Sequence, residues 1–121
     1  MFKKEISPYS VSDKVTFRNV DKTLTLYVRA DAFSLTFGLK QVHERLASVT
    51  DNSTEEDQAA AARLFADTIF GTEQGEKLCA FYDAPLATIN ACGIYFRERL
   101  TKKITKAQIR RDMKITVWKR K

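Results

Sequence analysis

The sequence is poor in the residues that usually announce chemistry. It holds one histidine, His43, and two cysteines, Cys79 and Cys92. Acyl transfer by a Ser–His or Cys–His pair needs an imidazole beside its nucleophile. His43, in QVHERL, falls on the polar flank of a helical pattern with no second histidine in the chain. A zinc site needs paired ligands such as C-x-x-C or a histidine cluster, and neither occurs. The cysteines therefore read as two small buried thiols in a reducing compartment, with no metal and no cofactor. Long apolar runs are also missing: none approaches the ~20 residues of a membrane helix. The start, MFKKEISPYS, has lysines without the apolar stretch of a secretory signal. These absences lead us to expect a soluble, cytoplasmic, non-enzymatic protein with no membrane partner.

What is present suits one compact core. The chain has 121 residues, 44% of them hydrophobic, with eight Phe, four Tyr and one Trp, within the size of a single domain. VTFRNV and TLTLYV alternate apolar and polar residues around the turn-prone NVDKT, a β-hairpin pattern. Leu35, Leu39, Val42, Leu46 and Val49 then form a helical stripe, which Asp31 can cap. Ser53 and Glu56 make an S-x-x-E capping box for a second helix with an inner face of Ala61, Leu64, Phe65, Thr68 and Ile69. Capping also accounts for the paired carboxylates of TEED. A short third helix carries Leu78, Phe81 and Tyr82, and a fourth is expected to start with Asp83 as cap and Pro85 in its first turn. The fourth stripe is Leu86, Ile89, Gly93, Phe96, Leu100 and Ile104, with Gly93 at a close helix crossing. The predicted fold is α+β, mainly α, one domain over 1–121. It comprises a hairpin at 13–29, a helical core at 31–104 and a basic extension at 105–121.

Two of the four glycines fall in FGTEQGEK, between the second and third helices. A phosphate-binding loop of the G-x-x-x-x-G-K-[ST] type follows a strand and sets lysine directly after its last glycine. Here the glycines are one residue too close, Glu76 precedes Lys77, and Leu78 stands where a hydroxyl is needed. Phe70, Gly71, Glu76 and Lys77 are accordingly read as a helix corner, with Gly71 ending one helix and Thr72 capping the next.

Charge is distributed unevenly. The net charge is +6, yet residues 97–121 hold eleven Lys and Arg against Glu98 and Asp112, and the rest of the chain is slightly acidic. Arg97, Lys102, Lys103, Lys106, Arg110, Arg111, Lys114 and Trp118 mark this basic end as a partner-binding candidate, for an acidic protein or for phosphates. Nucleic acid is the less favoured of the two, because no aromatic other than Trp118 lies there to stack on a base.

The order of these features resembles the small tail-assembly chaperone-like proteins of long-tailed phages and prophages. The resemblance runs over roughly residues 20 to 112, from ADAF through LFADTIFGTEQGEKL to TKAQIRRDMK, with Phe70, Gly71, Glu76 and Lys77 as the matching residues. FYDAPLATINACGIYF and ITVWKRK depart from the pattern. The resemblance implies a protein without an active site in the host cell cytoplasm. Such a protein binds apolar helices of the tape-measure protein or another tail protein, and it self-associates. The other readings are a small nucleic-acid-binding protein and a structural connector of the virion.

Overall fold

The computed structural model describes residues 10–50 and 52–108. It has an N-terminal hairpin followed by helices, the α+β, mainly α, class that the patterning predicts. Strands β1 (Ser10–Asn19) and β2 (Lys22–Asp31) pair antiparallel, with Val15 opposite Leu26 and Phe17 opposite Leu24. The hairpin is longer than the predicted 13–29. Its inner face buries Val11, Val15, Phe17, Leu26 and Val28, and its outer face joins the Thr16 and Thr25 hydroxyls at 3.0 Å. The tip is unusual: Val20 takes a φ of 60° and is 93% exposed, a conformation costly for a β-branched residue.

Helix α1 (Ala32–Ala47) begins where expected, because the Asp31 carboxylate accepts the Phe33 and Ser34 N–H groups at 3.0 and 3.1 Å. It ends before Val49. Helix α2 (Glu55–Phe70) starts one residue later than the predicted cap. Ser53 Oγ accepts the Thr50 N–H, closing the preceding loop, and Thr54 caps the helix by accepting the Asp57 N–H. A two-stranded hairpin cannot stand alone, and α2 is the element that β2, α1, α3 and α4 all contact. Its small residues make this possible: Ala61, Ala62 and Ala66 are buried along with Phe65 and Ile69, while Leu64, predicted inside, is 37% exposed.

Helix α3 (Thr72–Tyr82) follows without a loop, and its N-cap is Gly71 itself, not the predicted Thr72. Asp83 takes the left-handed conformation that ends α3, with φ 51°. It therefore does not cap helix α4 (Pro85–Tyr95), whose N-cap is Ala84. The α4 stripe also differs from expectation. Thr88, Cys92 and Tyr95 are buried, whereas Leu86 is 46% exposed and Ile89 is half-buried. Phe96–Leu100 is a π segment in which the Thr101 N–H reaches back five residues to the Phe96 carbonyl. This one-residue insertion shifts the phase, so the chain, helical again over 101–108, buries Leu100, Ile104 and Ala107. The core thus continues past 104 into what the charge pattern marks as an extension.

Phe17, Phe70 and Tyr95 meet at the centre, with Phe17 edge-on to Phe70 at 5.6 Å and Phe70 stacked on Tyr95 at 5.9 Å. They join β1, α2 and α4, each aromatic pair adding about 0.5–1.5 kcal/mol beyond its buried area.

The glycines play three different parts, which substitution to alanine separates. Gly71 has φ 87° and ψ 163°, a region almost closed to side chains, and Gly71→Ala is expected to cost about 1–3 kcal/mol. At Gly75 a Cβ would lie 2.9 Å from the Asp67 amide nitrogen and 3.0 Å from its Cα. Overpacking of backbone on backbone predicts a loss of similar size, about 1–3 kcal/mol. Gly93, predicted at a close crossing, meets only Arg97 Nη1 at 3.8 Å, so Gly93→Ala should stabilise the helix by about 0.5–1 kcal/mol. Urea unfolding of the three variants checks the order, and a destabilised Gly93→Ala would contradict it.

Candidate functional site

Three arrangements could carry a function: the corner at Phe70–Lys77, the joint between β1 and the last helix, and a groove between α1 and that helix.

The corner is built by side chains on both sides of Gly71. The Gly71 N–H donates to the Asp67 carbonyl at 2.8 Å, and its own carbonyl accepts the Gly75 N–H at 2.8 Å. Arg63 Nε donates to both Asp67 carboxylate oxygens, at 2.8 and 3.0 Å, and Arg63 Nη2 reaches the Thr72 carbonyl at 3.4 Å. Phe70 is buried, whereas Glu76 and Lys77 are exposed. The residue that sequence reasoning missed is Gln74. Its side-chain amide accepts the Tyr27 N–H at 2.9 Å and donates to the Tyr27 carbonyl at 2.7 Å, sealing the outer edge of β2. The corner is thus a structural joint: it turns the chain and covers a strand edge that could otherwise pair with another chain.

The second arrangement centres on Asp13, also missed. Asp13 lies on the apolar face of β1, in step with Val11, Val15 and Phe17, and its side chain is only 6% exposed. A carboxylate there must be paired. Tyr95 OH donates to Oδ2 at 2.9 Å, Arg99 Nη2 donates to Oδ1 at 2.7 Å, and Lys103 Nζ lies 3.6 Å from Oδ1. An acid at an inward-facing strand position was the legible signal. The cluster explains part of the basic end: Lys103, and Arg99 beside it, serve the fold. Burial, reinforced by the bond to Asp13, raises the Tyr95 phenol well above its ordinary value.

The remaining residues of the basic end separate. Arg97, Lys102 and Lys106 are exposed, while Arg110, Arg111, Lys114 and Trp118 lie outside the described residues. Cys92 is buried and Cys79 half-buried, both as free thiols. Among the described residues, no three His, Cys, Asp or Glu stand together as a metal site, and no helix is long and apolar enough to cross a membrane.

The third arrangement is a groove of about 720 Å³ between α1 and the helix that follows α4. Val42, Phe65 and Ile104 are its buried floor, and Leu39, Leu46 and Phe96 its half-exposed walls. Lys40 and Arg97 line it, with His43, and no acidic residue does among the described residues. Of the predicted α1 stripe, Leu35 and Val42 are buried, while Leu39 and Leu46 are half-exposed and border this groove. This arrangement can bind an apolar body.

Two measurements probe these assignments. Asp13→Ala leaves the Tyr95 hydroxyl without its acceptor and should cost about 1.5–3 kcal/mol in urea unfolding, with Asp13→Asn costing less. The pH dependence follows from the buried thiol and phenol. Burial pushes Cys92 from 9.0 up to about 12. Its stabilising effect is therefore fully present below the ordinary value and is lost as pH rises through the interval, and Tyr95 acts with the same sign. Stability should fall above pH 9, approaching ~1.4 kcal/mol per pH unit for each such group, and Cys92→Ala should flatten the slope. A flat or rising profile in wild type would contradict this reading. No family model matches the chain, and neither a curated protein nor a solved structure matches it.

Proposed function

We propose that the chain is a non-enzymatic binding protein that holds an apolar helix of a partner in the groove between α1 and the last helix. The observation that carries this reading is the groove itself, with Leu39, Leu46 and Phe96 half-exposed on its walls and Lys40 and Arg97 without an acidic neighbour in its lining among the described residues. A helix docks in such a groove through apolar anchors at i, i+3, i+4 and i+7, and the cations favour an acidic flank on that helix. The likeness in sequence to tail-assembly chaperone-like proteins of long-tailed phages supplies the partner: a tape-measure or other tail protein, kept from aggregating in the host cell cytoplasm. Self-association belongs to the same proposal. Phe33 and Phe37, one turn apart on α1, are 43% and 66% exposed, and apolar patches of this kind mark interaction sites. The nucleic-acid reading is weaker, because Arg99 and Lys103 bind Asp13 and so are not free for phosphates.

The test is fluorescence anisotropy with a labelled amphipathic helical peptide that has a leucine face and glutamate flanks. Leu39→Glu should weaken binding by about tenfold or more, equivalent to about 1.4 kcal/mol, while the melting temperature changes little because Leu39 is half-exposed. Arg97→Glu should slow association more than it hastens release. Equal binding by wild type and Leu39→Glu would refute the groove. A salt-sensitive gel shift of duplex DNA by the full chain would move the reading to nucleic acid.

A further inference from the structure

The two edges of the hairpin are not alike. Tyr27 turns both its N–H and its C=O outward to Gln74, so the Lys14–Tyr27 pair is one of those that exchange no ladder hydrogen bonds. Such pairs alternate along an antiparallel ladder. Ser12, Lys14, Thr16 and Arg18 therefore present their backbone groups to the outer side of β1. Two of these positions are occupied. The Lys14 N–H donates to Asp13 Oδ1 at 2.9 Å and its carbonyl accepts from Arg99 at 3.3 Å. The Arg18 carbonyl accepts from Tyr82 OH at 3.1 Å. Between them, the Thr16 N–H and C=O have no hydrogen bond among the described residues, its hydroxyl being paired with Thr25 across the outer face.

That open stretch faces a second groove, of about 700 Å³, between β1 and α4. Ala87 and Ala91, one helical turn apart, and Ile94 form its far wall, and Tyr82 and Arg99 lie at the two ends. An added strand would run ~4.8 Å from β1 and needs room for its side chains beyond, which two alanines leave open and larger residues would fill. Arg18 lies at the Tyr82 end of the groove without an ion pair among the described residues, while Arg99, held by Asp13, and Glu98 lie toward the other end.

We infer that this groove takes a short extended peptide segment of a partner, bonded through its backbone to Thr16, with small apolar side chains against Ala87 and Ala91 and an acidic residue toward Arg18. The bonds that Tyr82 and Arg99 already make limit the segment to about five residues at ~3.3 Å each. Strand addition of this kind draws its affinity from main-chain hydrogen bonds and its selectivity from the alternating side chains. The site shares no residue with the groove between α1 and the last helix, and so it stands or falls separately from the helix-binding reading.

The experiment uses the full chain, labelled with nitrogen-15, and the blocked peptide acetyl-Val-Thr-Glu-Val-Thr-amide. In the free protein the Thr16 amide should exchange with solvent on the order of tenfold faster than those of Val15 and Phe17, which lie in the ladder. Millimolar peptide should slow it and shift the amide resonances of Ala87 and Ala91. Thr16→Pro removes the outward donor without breaking a ladder bond and should abolish those shifts. Ala91→Leu, which fills the groove and leaves the hairpin untouched, should do the same. The inference is overturned if the Thr16 amide is already protected in the free protein or if millimolar peptide produces no shifts. Shifts that persist in both variants, or that fall on Leu39 and Ile104 instead, overturn it equally.

Discussion

A carboxylate on the dry face of a two-stranded sheet is unstable unless the chain brings donors to it, and this requirement organises the molecule. Asp13 sits near the start of the described structure, while Tyr95, Arg99 and Lys103 come from α4, the π segment and the helix beyond it. Once the strand places the acid inward among Val11, Val15 and Phe17, the helix more than eighty residues later must come alongside to supply a phenol and two cations. The arrangement is partly shielded: the acid is almost fully buried, while Arg99 and Lys103 are 49% and 39% exposed. Water thus screens the cations more than the acid, and the Tyr95 hydroxyl carries more of the energy than charge counting suggests. The same tyrosine stacks on Phe70, so the polar joint and the aromatic centre hold one another in place.

The parts of the fold that depend on local chemistry were legible in the sequence. Asp31 caps α1 because a short acid precedes a helical stripe, and Gly71 ends α2 because that backbone position admits little else. Ser53 illustrates where local rules become degenerate. Two adjacent hydroxyl residues could each cap α2, and the loop before it claimed Ser53, leaving Thr54 for the helix. Asp83 had two possible duties, ending α3 or starting α4, and took the first. Long-range bonds left almost no trace: nothing in the residues around Gln74 indicates a strand edge forty-seven positions earlier. Asp13 is the exception. It interrupts an apolar alternation, and its inward parity could have been noticed.

The two grooves express a division of labour among the helices. α2, rich in alanine, is surrounded and supplies floor; α1 and α4 each turn one face inward and leave another partly uncovered. Leu39 and Leu46, in the apolar stripe of α1, and the alanines of α4 both border open space. Periodicity identifies a face that avoids water. It does not say whether that face is covered within the same chain.

The π segment has a consequence for how this chain can change in length. From Thr88 to Tyr95 the buried positions advance by four and three; from Tyr95 to Leu100 the step is five, and then the ordinary spacing resumes to Ile104 and Ala107. At 3.6 residues per turn, loss of one residue there would swing everything beyond it by about 100° around the axis. Leu100, Ile104 and Ala107 would leave the core, and Lys103 would turn away from Asp13. Related sequences can therefore vary the exposed positions of this segment, such as Arg97 and Glu98, only while keeping its length. Single-residue gaps there would be rare, the reverse of the pattern in the loop between α1 and α2, where the chain can gain or lose a residue without re-indexing the helix that follows.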